Sequence, residues 1–557
     1  MKWIAALVLT LIALVFAAVQ AGPALLFRYP ALVGTLIRLV DPIGAHQEVV
    51  WARGPAVENK PASDQTPNIV VILVDDLGWN DLTWRGGGVA EGTVPTPHID
   101  SIAAEGVQFT QGYAGNATCA PSRAALMTGR YPPRFGFEST PAPAIMGKVV
   151  GQLINTGVPE DAPRSIFHAD RMSEVPPVED QGIPTEEVTL AEMLGDAGYY
   201  SVMLGKWHLG ETPGKRPIDQ GFDESLGFYS GGAKFGDPDD PDIVSAKQDF
   251  DPIDTFIWPL LPFAVRKDND AQFTPDLYMT DYLSREAARA IEANRHRPFF
   301  MYLAYNAPHT PLQATRADYE ALSHIESHAE RVYAAMIRSL DRGVGEVLAA
   351  LEANGLEDNT LVIFSSDNGG AHYIGLPDIN KPFRGWKMTF FEGGLRSPFF
   401  MKWPAQIPGG ATSAEPASHI DIFTTVASAA SADLPSDRAI DGIDLLPFAR
   451  GEQGEDRDSL FWRSGGLSTV RSRGWKLQVD ERQDKSWLFD LEADPTEHHD
   501  LAAGRPQKVA ELQALLDAHD RVLGPRHFPA LVEAVVPIDR TLADPYVPGE
   551  PFAYWSN

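Results

Sequence analysis

Four short apolar runs in this sequence each end in residues able to hold a cation, an anion or a proton. Ile69–Val74 runs into Asp75-Asp76, and Tyr200–Leu204 into Gly205-Lys206-Trp207-His208. Phe299–Ala304 leads to Asn306-Ala307-Pro308-His309, and Leu361–Phe364 to Ser365-Ser366-Asp367-Asn368-Gly369. Asp75, Asp76, Asp367 and Asn368 offer only oxygen donors, a set that selects a hard cation: Ca2+, with Mg2+ as the alternative. Arg123, Lys206, Lys387, His208 and His309 can supply local positive charge to a tetrahedral anion. A helix following Pro121 would aim its N-terminal dipole and free N–H groups at the same anion.

Elements must bring these positions together. A continuous apolar run of four to eight residues is the pattern of a strand buried on both faces. Helical patterns lie between the runs. Val188–Ala197 is one, and His328–Asn354 the clearest, with Val332, Met336, Leu340, Val344, Val347, Leu348 and Leu351 on one stripe and Gly355 as a stop. Strands alternating with helices give a mainly parallel sheet with helices on both faces, which binds ligands beyond the carboxyl ends of its strands. From about residue 451, Leu460–Trp462, Thr469–Arg471, Trp475–Val479 and Trp487–Leu491 alternate like half-buried antiparallel strands, and Pro506–Leu523 reads as an amphipathic helix. The expected fold class is therefore α/β, a large mainly parallel sheet sandwiched by helices. A smaller C-terminal α+β subdomain containing an antiparallel sheet follows. The tail from Gly524, rich in proline and aromatic residues, is expected to drape over the surface.

Composition narrows the function. The 557 residues carry 46 Lys and Arg against 75 Asp and Glu, a net charge of −29. That excess of acid argues against a general nucleic-acid binder, which must neutralise phosphates. A hydrophobic content of 44% excludes wholesale disorder and a coiled coil. Cys119 is the single cysteine, so no intramolecular disulfide can form. At the amino terminus Lys2 precedes an apolar run from Trp3 to Val19, and Val19-Gln20-Ala21 suits a signal peptidase. The run reads as an export signal, either cleaved or kept as a membrane anchor, and sends the protein to the periplasm or the extracellular space. Ala24–Val40 is again apolar but carries Arg28 and Arg38, which fits packing on the protein or lying on a membrane surface. The organisation expected is a signal or anchor (1–21), an apolar segment and linker (22–67), a catalytic domain (68–450), and a C-terminal subdomain with tail (451–557).

The stretch Cys119-Ala120-Pro121-Ser122-Arg123, continued to Thr128-Gly129-Arg130, resembles the type I sulfatases of the alkaline phosphatase superfamily. Their hallmark is C-x-P-S-R, a short helix, then T-G-R. Further motifs agree in the family's order: Asp75-Asp76, Gly205–Gly210, Asn306–His309, Ser366–Gly369, and Arg384–Lys387 with Glu392–Arg396. The likeness runs from about Asn68 to Pro495; Met127 stands where leucine is common, a volume-conserving exchange.

The resemblance implies an alkaline-phosphatase-like fold and an arylsulfatase-type enzyme. Such an enzyme cleaves aryl, small alkyl or sugar sulfate monoesters to alcohol and inorganic sulfate. It implies that a formylglycine-generating enzyme oxidises Cys119 to formylglycine during maturation. By position it implies that residue 119 is the nucleophile and Asp367 accepts its proton. His309, supported by Lys387, protonates the leaving oxygen, and His208 takes the second proton. Arg123 and Lys206 stabilise charge, and Asp75, Asp76, Asp367 and Asn368 hold the metal together with the modified Cys119. Substrate pockets in such a fold sit on loops, here Ser139–Glu187 and the acidic Gly231–Gln272, which suit a small or aryl ester better than a polyanionic glycan. The alternative is a formylglycine-dependent phosphonate monoester or phosphodiester hydrolase.

Overall fold

The computed structural model describes residues 29–54, 66–156 and 158–556. The expected signal or anchor lies outside them. Strands β1 (Asn68–Asp75), β2 (Val107–Tyr113), β3 (Tyr200–Lys206), β4 (Glu224–Phe228), β5 (Phe299–Pro308), β6 (Thr360–Ser366), β7 (Phe399–Lys402) and β8 (Ala411–Ser418) join the short Arg266–Lys267 strand in one sheet. The order is β8-β2-β7-β6-β1-β5-β3-β4, closed by Arg266–Lys267. β6, β1, β5, β3 and β4 run parallel, as do β8 and β2; β7 is antiparallel to both its neighbours.

Among the helices are α1 (Pro30–Val40), α2 (Cys119–Thr128), α3 (Ala144–Ile154), α4 (Met279–Asn294), α5 (His328–Ala353) and α6 (His419–Ala430). The period of two in a strand decides which face each side chain serves. Val70, Ile72 and Val74 of β1 pack with α4 and α5, whereas Ile69, Val71 and Leu73 pack with α2 and α6. Every residue of β1 is buried, which explains the unbroken apolar run. The α5 stripe is buried as the periodicity predicts, with Leu348 only partly covered. Ser327 caps that helix by accepting from Glu330 N, and Gly355 at φ 67° follows its end.

Strands β9 (Ser459–Ser464), β10 (Leu467–Ser472), β11 (Trp475–Asp480) and β12 (Lys485–Asp490) form an antiparallel sheet in sequence order. Leu512 and Leu516 of α7 (Pro506–Asp520) pack on Val470, Leu477 and Leu488 of that sheet.

The tail differs from its expected surface path. Val532–Pro537 forms β13, paired with Ile166–Phe167 and with Phe552–Ser556. Leu531, Val532, Ala534 and Val536 are buried, so its apolar residues are core rather than covering. At the other end, α1 seats Gly34 against the Pro259 carbonyl, where a Cβ would come within 2.2 Å, and leaves Leu32, Ile37, Leu39 and Val40 at least half exposed. Among the described residues no helix is long and apolar enough to cross a membrane.

Candidate active site

The four strand ends meet. β1 lies between β5 and β6, and β3 lies beyond β5, so Asp75, His309, Lys206 and Asp367 leave one edge of the sheet side by side. Asp76, the first residue past its strand, and His208, the second past its own, have φ of 64° and 62°, and Met388 beside Lys387 has φ 75°. Non-glycine residues adopt that region at a cost and cluster at functional sites. Here the turn swings Asp76 and His208 toward the first residue of α2, Cys119.

Cys119 Sγ is 3.4 Å from Asp75 Oδ1 and 3.8 Å from Asp76 Oδ1. Lys206 donates to Asp75 Oδ2 at 2.7 Å. Lys387 Nζ lies 2.7 Å and 2.8 Å from the two oxygens of Asp76, and Asn368 Nδ2 donates to Asp76 Oδ1 at 2.7 Å. Arg123 donates from Nε to Asp367 Oδ2 at 2.9 Å and from Nη1 to the Lys206 carbonyl at 3.0 Å. Asp367 Oδ1 accepts the Asp76 backbone N–H at 3.2 Å. His309 Nδ1 lies 2.5 Å from the Thr310 carbonyl, an acceptor, so Nδ1 carries the proton and Nε2 is bare, 3.6 Å from Asp76.

Asp75, Asp76, Cys119, Arg123, Lys206, His309, Asp367, Asn368 and Lys387 therefore lie in one connected cluster, and His208 joins them only as a lining residue of the same cavity. Two tyrosines join them that the motifs did not mark. Tyr373 donates to Asp76 Oδ2 at 2.9 Å and accepts from Lys387 at 3.2 Å; the Tyr302 hydroxyl lies 3.4 Å from Arg123 Nη1. Asn306, quoted only as part of a motif, has neither amide atom partnered within the protein. Tyr302 sits inside an apolar strand run and Tyr373 in the single 3-10 turn His372–Ile374, where nothing local separates them from packing residues.

Electrostatics follow from this burial. Desolvation, then Asp75 nearby, pushes Asp367 up, against the pull of Arg123 and Lys206. Burial works against ionised Asp76, yet Lys387 and His309 hold it well below the usual carboxylate range. Burial pulls His309 down to about 3, and burial with Lys206 and Arg123 holds His208 well below its ordinary value. Burial, reinforced by Asp367, pushes the Cys119 thiol far up. An unmodified Cys119 is thus a neutral thiol, a poor nucleophile.

The cluster also fits a cation. Ligand atoms of Asp75, Asp76, Cys119 and His309 all lie within 4.8 Å of one another. Asn368 Oδ1 is buried with no partner, an acceptor left for something the protein does not supply. Asp367 is not one of that group; Arg123 holds its Oδ2, and its Oδ1 accepts the Asp76 backbone N–H. Above the cluster opens a cavity of about 480 Å3, with Cys119, His208, His309, Tyr373 and Lys387 on its floor.

Comparison with known proteins decides the chemistry. The sulfatase family model matches residues 67–432, and the model described as N-sulphoglucosamine sulphohydrolase, C-terminal, matches residues 384–521. The chain belongs to the sulfatase family. This sulfatase is 36% identical over 415 residues to the N-acetylgalactosamine-6-sulfatase of Canis lupus familiaris, covering 73% of this chain and 70% of that protein. It is 31% identical over 578 residues to the steryl-sulfatase of Mus musculus, covering 87% and 86%. Its fold matches the crystal structure of Ps i-CgsB in complex with k-i-k-neocarrahexaose, with a TM-score of 0.67 and 30% identity over 83% of this chain and 95% of that one. The sulfatase is thus a sulfate ester hydrolase, with Cys119 inside its candidate metal cluster.

Proposed function

We propose that the sulfatase hydrolyses sulfate monoesters through a formylglycine made from Cys119, at a site that holds Ca2+, with Mg2+ as the alternative. One observation carries the reading: Cys119 stands at the N-terminus of α2, within 3.4 Å of Asp75 and on the floor of the cavity. A thiol held protonated there has little use as it stands, whereas hydrated formylglycine supplies one hydroxyl as nucleophile and a second whose loss of a proton reforms the aldehyde as the carbon–oxygen bond to sulfate breaks. Asp75, Asp76, Asp367 and Asn368 would hold the cation, which when bound polarises a sulfate oxygen and favours ionisation of the nucleophile.

The chain's own groups divide the remaining work. Asp367, whose Oδ2 Arg123 holds in place beneath the cavity, takes the proton of the attacking hydroxyl. His309 Nε2 faces the cavity and delivers a proton to the leaving alcohol oxygen; the sulfate anion beside it favours the charged ring, and Lys387 orients the neighbouring Asp76. His208, kept neutral by burial and cations, accepts the proton of the second hydroxyl as sulfate leaves. Arg123, Lys206 and the α2 N-terminus offset the charge gathering on sulfur's oxygens. The apolar run Trp3–Val19 after Lys2 supports export to the periplasm or beyond. The two relatives carry the names of a sugar 6-sulfatase and a steryl-sulfatase, so they divide between a polar and an apolar alcohol.

The test is the mass of the tryptic peptide Gly86–Arg123 from protein made in its native host, paired with kcat/KM on an aryl sulfate and an aryl phosphonate. A mass lowered by exchange of sulfur for oxygen together with loss of two hydrogens at residue 119, with sulfate preferred, is expected. Unmodified cysteine in active protein, or a preference for phosphonate, overturns the reading.

A further inference from the structure

We propose that the cavity above Cys119 selects sulfate esters of bulky apolar alcohols and discriminates against sulfated sugars. The inference rests on the reading of Cys119 as the reacting residue and deepens it to a substrate class.

The cavity has a charged floor and an apolar upper wall. Met146 and Val150 of α3, Leu260 and Leu261 of the following loop region, and Leu531 and Val532 of the tail supply most of that wall. Its volume of about 480 Å3 falls in the range of pockets that enclose a whole ring system, roughly 300–1,000 Å3.

A sugar brings hydroxyls that must exchange water for protein partners, and leaving them unpaired in an apolar wall is costly. The polar groups that line the wall are already engaged. The Asp254 carboxylate accepts from Gln248 N at 3.1 Å, Trp258 Nε1 at 2.6 Å and Thr310 Oγ1 at 3.0 Å. Ser230 donates to the Gly232 carbonyl at 3.1 Å, and Thr118 to Asn116 Oδ1 at 3.3 Å. Thr140 and Asp251 also have interactions of their own. Among the described residues of the lining Lys387, on the floor, is the only lysine or arginine, so a second anionic group finds no further lysine or arginine there, and Asp251 and Asp254 would repel one.

Phe528–Val532 lies beyond both segments matched by the family models, which end at residues 432 and 521. It is fixed to α3 by a close approach. A Cβ on Gly147 would stand 3.2 Å from Leu531 Cβ, and one on Gly151 only 2.9 Å from Phe167 Cβ, the residue that β13 pairs through Val532. Gly147 and Gly151, four apart on one face, let the helix settle against the tail and close the apolar wall.

The test compares two primary alkyl sulfates of matched intrinsic reactivity, adamantylmethyl sulfate and N-acetylgalactosamine 6-sulfate, with 4-nitrophenyl sulfate reporting the chemistry itself. The expected kcat/KM is at least about 10²-fold higher for the adamantylmethyl ester. Val150→Asp, or Leu261→Asn should the first not fold, is expected to lower that ratio about 10-fold by wetting the wall. Equal or better turnover of the sugar sulfate, with 4-nitrophenyl sulfate hydrolysed, overturns the substrate class alone. So does an equal loss on both alkyl esters in the folded variants. No turnover of any of the three sulfates by protein carrying formylglycine overturns the reading of the site and the substrate class with it.

Discussion

Among the described residues, two of the clusters of buried charge serve opposite ends. The first joins Asp75, Asp76 and Asp367 to Arg123, Lys206 and Lys387 beneath the cavity. The second joins Glu392 and Glu497 through Lys476, which reaches them at 2.9 Å and 2.8 Å. Arg396 and the Tyr113 hydroxyl complete it at 2.7 Å and 3.0 Å from Glu392. Lys206, Asp75, Lys476, Glu392 and Glu497 all have 0% of their side chains exposed, so burial does not tell the clusters apart. What differs is the cavity. None of Glu392, Lys476 and Glu497 lines it, and they instead tie β11 of the C-terminal sheet to the segment that follows Lys387. Buried charge marks a site where it faces a space a ligand can enter; elsewhere it is a joint.

The largest contrast should come from replacing one carboxylate or cation in each cluster. Asp367→Asn is expected to lower kcat by about 10²- to 10⁴-fold, the range of a lost proton acceptor. Full activity in that variant would move the acceptor role elsewhere. His309→Ala should cost an unactivated alkyl sulfate about 10²-fold or more, and 4-nitrophenyl sulfate much less, since a good leaving group needs no proton. Equal losses on both would remove His309 from the acid role.

Lys476→Met should act on stability instead. It strands two buried glutamates and should cost about 3–5 kcal/mol in urea unfolding. A kcat loss as large as that of Asp367→Asn, measured on folded protein, would erase the distinction between the clusters. Chelation should touch only the first cluster. Stripping a cation present at about 100 times its dissociation constant removes about 2.7 kcal/mol of stabilisation, seen as a lower Tm that Ca2+ restores. An unchanged Tm would argue against a resident cation.

The smallest effect is a pH profile of the second cluster. Burial, with Glu392 nearby, raises Glu497 to about 7 from its ordinary 4.5. The folded protein then binds the extra proton between those values, so stability falls as pH rises from about 4.5 to 7. Glu392 does the reverse: burial opposes its charge, but Lys476 and Arg396 hold it near 2, and stability is lost as pH falls below 4.5 toward 2. Glu497→Gln should flatten the fall in Tm between pH 5 and 7. An unaltered slope would place the titration elsewhere.

The first cluster was legible in the sequence, whereas of the second only Glu392 and Arg396 stood in a motif and their partners did not, for a physical reason. A strand buried on both faces must be apolar throughout, so the polar residues that end it stand out, as Asp75, Lys206 and Asp367 do. Glu392 and Glu497 lie on a short helix and a loop where charge is commonplace, and only the pairing across 105 positions makes them a unit. The cavity wall was hidden for the same reason. Its tail segment reads as surface chain, and becomes a wall only by pairing Val532 with Phe167. Tyr373 and Tyr302 look like packing aromatics until their hydroxyls are seen beside Asp76 and Arg123.

The strand order carries one more consequence, and it concerns time. Cys119 is only 4% exposed in the finished protein, so the oxidation proposed for it must come before the sheet closes. β1, whose last residue touches Cys119, is held between β5 and β6, and β6 ends at Ser366, far downstream. At synthesis rates of roughly 5–20 residues per second, the ribosome needs roughly 10–50 s to travel from residue 119 to that point. The parallel sheet cannot enclose Cys119 sooner, and the order of its strands thereby keeps the cysteine within reach of a modifying enzyme while the chain is still growing.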